Sequence, residues 1–167
     1  MELILHDILK KLEIESPRLG LSYVDEDFGQ LEALDNEQDT YPLTFPAVLC
    51  ELQGTTWSDN DRLQQEGSAT IAVRLLIDCY DDTHGLSTQL NKVKEREALN
   101  YDLTKILHGM RILDNTASLT RTASSTYNGP HLIKVYETTY TAKIWEKFNE
   151  EDKAPVKTIS LTGGLKI

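Results

Sequence analysis

The chain is poor in sulfur, poor in aromatic residues and short of positive charge. It has 2 Cys, 2 Met and 2 Trp among 167 residues, and 17 Lys and Arg stand against 27 Asp and Glu. No apolar run approaches the roughly 20 residues that a transmembrane helix needs. The N-terminus is acidic and amphipathic, so it lacks the basic region and cleavage site of a secretory signal peptide. These absences favour a soluble chain made in the cytoplasm.

The scarcity of cysteine excludes a disulfide-dense scaffold. Cys50 and Cys79 both fall in segments that are predicted to be strands, where free cysteine usually behaves as a small buried hydrophobe. A disulfide is conceivable if those strands are neighbours. Without an export signal, however, we expect two reduced thiols.

The shortage of positive charge is concentrated in the first part of the chain. Residues 1–66 carry 15 Asp and Glu against 4 Lys and Arg, whereas residues 67–167 carry 12 against 13. Between Asp25 and Asp39 there are seven acidic residues and no basic one. Nucleic-acid affinity rests largely on cationic neutralisation of phosphate, so direct nucleic-acid binding is disfavoured. A solvated acidic loop is the simplest interpretation of this run.

The first half of the sequence predicts one helix followed by strands. Apolar residues recur at helical spacing over Glu2–Glu15, and Pro17 is expected to end that helix. Alternation over Arg18–Val24 predicts a strand, and Leu31–Leu34 is either a short edge strand or part of the acidic loop. A strand is predicted over Phe45–Leu52, and the polar residues Gly54–Gly67 are predicted to be a loop that carries Trp57.

The second half predicts a strand, a long helix and a final strand. Ile71, Val73, Leu75 and Ile77 share one face of a strand that runs to Tyr80, so a sheet with one covered face is expected. This face is predicted to meet the second apolar stripe of a helix over Leu86–Met110, which consists of Leu99, Leu103, Ile106, Leu107 and Met110.

Three features of the second half leave alternatives open. The first stripe of that helix, Leu86, Leu90 and Val93, belongs either to a separate helical turn or to a face that meets another subunit. An edge strand is predicted near Leu119–Ser125. His131–Trp145 is predicted to be a long strand whose apolar face switches, through a bulge or through burial on both sides.

We expect one α+β domain over 1–145 and a C-terminal extension over 146–167. The extension begins with a charged stretch, and Pro155 breaks it before Val156–Leu161, which is predicted to be one more strand. An extension of this kind could cross to a neighbouring copy.

The sequence holds little that indicates catalysis or a cofactor. It has no phosphate-binding glycine loop, no serine elbow and no Cys-x-x-Cys or His-Glu-x-x-His spacing. The best enzyme candidate is the turn that carries Asp78, Asp81, Asp82 and His84, since three carboxylates and an imidazole could bind a divalent metal. Helix capping and solvation of the turn explain these residues more simply. We therefore assign no catalytic, cofactor-binding or metal-ligating residue.

The order of the predicted elements resembles the tail-terminator or tail-completion (head–tail joining) proteins of tailed phages and prophages. The resemblance spans about Leu3–Trp145. It rests on Phe45-Pro-Ala-Val-Leu-Cys-Glu-Leu52, Trp57, the Ile71–Tyr80 strand with the Asp81-Asp-Thr-His84 turn, and Asp102-Leu-Thr-Lys-Ile-Leu107. It implies a mixed, mainly antiparallel sheet flanked by two helices, which assembles as a ring at the end of the tail.

Two functions of different class follow from the sequence. The first is a non-enzymatic virion assembly protein, cytoplasmic during assembly and then part of the virion, whose partners are copies of itself and tail-tube or neck proteins, with no membrane. The alternative is a metal-dependent hydrolase or small-ligand-binding module that uses Asp78, Asp81, Asp82 and His84.

Overall fold

A computed structural model of the chain describes residues 3–35, 43–61, 63–80, 84, 89–112 and 116–148. Eight elements follow one another in these ranges: α1 (Leu3–Leu19), β1 (Tyr23–Glu26), α2 (Gln30–Asp35), β2 (Ala47–Asp61), β3 (Gln64–Asp78), α3 (Asn91–Leu107), β4 (Thr120–Asn128) and β5 (Ile133–Lys147).

The five strands form one mixed sheet in the order β1-β2-β3-β5-β4. β1 is parallel to β2, and every other pair is antiparallel. The three central strands are each 15 residues long, so the sheet is much longer than the helices that cover it. The predicted α+β fold is confirmed, with a third short helix that the sequence did not indicate.

The main core lies between one face of the sheet and helices α1 and α3. Along β3, Ile71, Val73, Leu75 and Ile77 point into this core, as predicted. Leu103 and Leu107 of α3 meet them, together with α1 residues such as Ile8, which is fully buried. Ile106 was expected in the same core, but it is only half-buried.

A second, smaller core corrects the expectation of a single covered face. Its buried residues are Leu31, Ala47, Leu49, Leu76, Ile133 and Val135. Leu31 comes from α2, which lies on the opposite side of the sheet from α1. The prediction of an edge strand or loop at Leu31–Leu34 was therefore wrong. This second core also explains β5: Ile133 and Val135 face α2, while Tyr140 and Ile144 face the main core.

The largest correction concerns Gly54–Gly67, which was predicted to be a polar loop. These residues extend β2 and β3 into a hairpin that pairs from Ala47↔Leu76 to Asp61↔Gln64, with a register shift between Leu52 and Gly54. Trp57 lies within β2 and packs on the main core. The strands continue because β5 pairs with β3 without interruption from Ile133 to Lys147.

Two helix boundaries also differ from the predictions. Pro17 lies inside α1, which continues to Leu19, so the predicted end at Glu15 and the strand start at Arg18 were wrong. Pro17 lies in the last turn, and its missing N–H removes only the hydrogen bond to the carbonyl of Glu13, an exposed residue. The helix then ends with the Leu21 N–H donating to the Ser16 carbonyl at 3.0 Å. Among the described residues α3 begins at Asn91, and Leu86 lies outside them.

Two other sequence expectations can be compared with the structure. Cys50 is buried in β2 and Cys79 follows β3, and both are free thiols. Within the described ranges, no helix is long and apolar enough to span a membrane. The C-terminal segment from residue 149 onwards, including Val156–Leu161, lies outside the described residues, so the domain boundary at 145 stays a prediction.

Candidate functional site

The sheet has two edges, and β4 forms the longer one. All nine of its residues, Thr120–Asn128, are exposed. β4 pairs with β5 on one side, and no described strand pairs with its other side. At the start of β4, His108 Nδ1 accepts a hydrogen bond from the Arg121 backbone N–H at 3.3 Å. The edge strand expected near Leu119–Ser125 is confirmed. An open edge of this length is a surface onto which another strand can pair.

The opposite edge is formed by β1 and lies beside α1. Between them is a groove of about 690 Å³, whose lining residues are His6, Leu9, Lys10, Glu13, Ser22, Tyr23 and Val24. Leu9 and Val24 are partly buried and pack against the main core, so the floor of the groove is apolar. An edge strand with a helix as its wall has the shape of the grooves in which other domains bind an extended peptide as an extra strand.

The C-terminal end of β1 carries a concentration of negative charge. Asp25, Glu26 and Asp27 are consecutive, and Tyr23 Oη donates to Asp25 Oδ2 at 2.7 Å. Asp27 accepts from Arg74 of β3, and Glu32 of α2 accepts from the same guanidinium at 2.6 Å. Arg74 thus ties β1, α2 and β3 together on the second face of the sheet.

Electrostatics in this cluster favour the charged forms. Hydrogen bonding from Arg74 lowers the pKa of Glu32 below its usual value, although partial burial opposes this. Burial would lower the pKa of Arg74, but its hydrogen bonds to Glu32, Tyr127 and Asp27 outweigh that effect and raise it. A polar cavity of about 330 Å³ lies beside the cluster and is also lined by Glu51 and Glu137. The charges pair with one another, so the cluster is suited to holding the sheet and α2 together.

The turn that was weighed as a metal site is only partly described. Asp78 is exposed at the end of β3, and His84 is exposed, while Asp81 and Asp82 lie outside the described residues. No group of three or more His, Cys, Asp or Glu side chains in the described ranges could hold a metal ion. Asp78 instead borders a cavity of about 260 Å³ together with Lys92, Glu95 and Arg96 of α3.

One side of α3 faces away from the main core. Leu90, just before it, is 51% exposed, and Tyr101 on the same side of the helix is 60% exposed. The Lys105 ammonium lies 4.4 Å from the centre of the Tyr101 ring. Val93 is half-buried. Leu90 therefore lies away from the core, as expected for the first stripe.

Comparisons with known proteins give one informative result. No protein-family model matches the sequence, and no curated protein matches it. Among solved structures, the chain is similar to a chain from the virion of a native gene transfer agent particle, with a TM-score of 0.55 and 8% sequence identity. The alignment covers 86% of this chain and 96% of that one. The two chains share a fold.

Sequence reasoning found one of the two edges and missed the other. The β4 edge was visible because its Ser- and Thr-rich residues precede a strongly apolar strand. The groove beside β1 was missed because it depends on how α1 lies against β1. The signal available in the sequence was the close succession of an amphipathic helix and a short alternating strand, Leu19 to Val24.

Proposed function

We propose that this protein is a non-enzymatic structural component of a phage or phage-like virion, and that it acts at the end of the tail where the neck attaches. The observation that carries the proposal is the fold shared with a chain of a gene transfer agent virion. That likeness extends over nearly the whole of both chains, so it concerns the complete architecture rather than a common supersecondary motif.

The finer assignment to tail termination or completion comes from the sequence. The Phe45–Leu52 strand, the Ile71–Tyr80 strand and the Asp102–Leu107 helix segment resemble that family, and they lie in β2, β3 and α3. These three segments contribute to the main core. The resemblance therefore rests on residues that build the fold and carry no catalytic chemistry.

A ring of identical copies is the assembly that the two sheet edges suit best. A ring requires two different complementary surfaces on each subunit, placed on different sides. Here the exposed strand β4 is at one edge of the sheet, and the groove beside β1 is at the other. The edges also differ in charge, since Asp25, Glu26 and Asp27 follow one another at the β1 edge, whereas Arg121 is the one charged residue of β4. Such asymmetry favours one orientation of neighbouring copies.

Contacts to tail-tube or neck proteins require a further surface. The exposed side of α3 that carries Leu90 and Tyr101 is a candidate, because large apolar side chains there are open to solvent. Neither residue is needed for the main core. This surface is thus free to bind a different subunit while the sheet edges contact copies of the same chain.

Binding to purified tail tubes tests the proposal. Tubes isolated from particles that lack this protein would be mixed with it and imaged by negative-stain electron microscopy, and we expect added density at one tube end. A Tyr101→Asp variant should bind the tubes more weakly, whereas Ile14→Asp, which places the same charge at an exposed apolar residue of α1, is the matched control. Tubes that bind no protein at their ends would refute the proposal.

A further inference from the structure

The groove between α1 and β1 has the shape and chemistry to hold an extended strand, and the chain itself contains a suitable segment. We propose that Val156–Leu161 of a neighbouring copy fills this groove as an additional strand, antiparallel to β1. The inference rests on the proposed function only in that the neighbour is another subunit of the same assembly. It specifies which edge of the sheet is covered and by what.

The alternation of side chains in the segment matches that of β1. Val24 of β1 pairs with Val48 and packs on the main core, so Ser22 and Glu26 share its side of the sheet. If the segment forms a strand, Lys157, Ile159 and Leu161 share one side of it. Antiparallel pairing centred on Ile159 and Val24 brings two apolar residues together over the groove floor.

The same alignment pairs opposite charges. With Ile159 opposite Val24, Lys157 lies opposite Glu26, and Leu161 lies opposite Ser22. Parallel pairing with the same centre would instead place Leu161 opposite the Glu26 carboxylate and lose the ion pair. Cross-strand pairs of opposite charge and of apolar residues both stabilise a sheet, so the antiparallel direction is favoured.

The charges of the segment and of the strand end that it would meet agree with this direction. Residues 153–167 contain three lysines, Lys153, Lys157 and Lys166, and no acidic residue. The end of β1 where the segment would enter carries Asp25, Glu26 and Asp27. Glu150, Glu151 and Asp152 precede these lysines, so the charge complementarity belongs to the paired segment itself, where Lys157 lies beside the acidic strand end.

Distance indicates that the segment comes from another copy. Lys147 pairs with Gln64 at the far end of the sheet, whereas Glu26 pairs with Cys50, which pairs with Val73. The nine residues from Gln64 to Val73 span roughly 30 Å along the strands, and an added strand beyond β1 lies roughly 19 Å across the sheet from β5. The straight line is roughly 36 Å and passes through the strands that lie between. The ten residues from Phe148 to Lys157 reach roughly 33–36 Å only when fully extended, so they are too short for a path around the sheet within one chain.

Cysteine cross-linking between two single variants tests the contact directly. In a Cys79→Ser background, Glu26→Cys protein is mixed with Lys157→Cys protein, and disulfide formation is followed on non-reducing gels. We expect a covalent dimer that forms much faster in the mixture than in either variant alone. A disulfide in this mixture joins two different chains, so it cannot arise within one molecule. Lys157→Cys mixed with Ser124→Cys, on the exposed edge β4, is the matched control.

Charge exchange gives a second, independent measurement. Glu26→Lys and Lys157→Glu should each weaken self-association of the full chain several-fold in sedimentation experiments, and the double variant should recover most of the loss. Glu51→Lys, which makes the same charge change at an exposed residue of the interior strand β2, should have little effect. Recovery in the double variant identifies the pair, since a merely destabilising substitution would not be reversed by the second.

The outcomes separate this inference from the proposed function. Cross-linking of Glu26→Cys no faster than of Ser124→Cys, or no recovery in the charge exchange, would overturn the inference even if the protein binds tail tubes. Faster cross-linking at Ser124 would indicate that the segment pairs with β4 instead. Rapid cross-linking at Glu26 in a protein that never binds tubes would support the strand exchange and refute the function.

Discussion

The guanidinium of Arg74, in the central strand β3, binds the carboxylate of Asp27, a residue 47 positions earlier in the chain. Both side chains are buried, with 13% and 6% of their surface exposed. Asp27 also accepts the Gly29 N–H at 3.1 Å, so this carboxylate organises the turn that leads from β1 into α2. The pair joins the acidic edge of the sheet to its centre.

Loss of Arg74 should therefore be costly. An Arg74→Met substitution keeps the volume of the side chain but leaves Asp27 buried without its cation, and we expect a loss of about 3 kcal/mol in unfolding free energy. Lys143→Met is the control, because its pair with Glu66 lies at the surface and should contribute little to stability. Urea unfolding of both variants checks this. Equal effects of the two substitutions would contradict the account.

Acid should destabilise the protein partly through Glu32. Hydrogen bonding from Arg74 lowers the folded-state pKa of Glu32 below the ordinary value of about 4.5 for a glutamate. A carboxyl group with a depressed folded pKa stabilises the fold above its unfolded pKa, and this contribution is lost as the pH falls below about 4.5. We expect Glu32→Gln to be less stable than the natural chain at neutral pH and the difference to shrink at low pH. Glu13→Gln, an exposed change on α1, should show no such trend in melting temperature.

Trp57 and Gly67 face each other across the β2–β3 hairpin. A Cβ atom at residue 67 would lie 2.8 Å from ring carbons of Trp57 and 2.8 Å from Thr55 Cγ2. Gly67→Ala should therefore cost about 1–3 kcal/mol by overpacking. Ser68→Ala, at the next and exposed position, should be nearly neutral. If Gly67→Ala is as stable as Ser68→Ala in chemical unfolding, the ring does not lie over residue 67.

The two thiols should react at very different rates. Burial raises the pKa of Cys50, with a smaller contribution from the nearby Asp27 charge, and the side chain is fully enclosed. Cys79 is partly exposed at the end of β3. A thiol reagent should label one cysteine per folded chain and two per unfolded chain. In Cys79→Ser protein, folded labelling should nearly vanish, and rapid labelling there would show that Cys50 is accessible.

The spacing of apolar residues predicted which faces of β3 and α3 pack into the main core. Ile71, Val73 and Leu75 alternate, and Leu103 and Leu107 are one helical turn apart, so each pattern indicated the face that the structure buries. The outer half of the β2–β3 hairpin carries no such pattern, because beyond Gly54 it extends past the helices and most of its side chains face water. Its strands depend on pairing with each other and with β5, which a local pattern cannot reveal.

The second core and the groove depend on contacts between distant segments. Leu31 lies in an acidic stretch with few apolar residues, and it is buried with Leu49, Leu76 and Val135 from three different strands. The groove likewise forms between α1 and β1. For the same reason the sequence could indicate that Val156–Leu161 suits an open edge, but the choice of edge required the structure.

Deletion of the gene tests the central claim of a structural role at the tail end most directly. Under the proposed function the gene belongs to a phage or prophage, which would be induced without it, and the products would be examined by electron microscopy. We expect filled heads and tail tubes that remain separate, with tubes of irregular length, and intact particles when the gene is supplied from a plasmid. Normal numbers of joined, uniform particles in its absence would contradict the account.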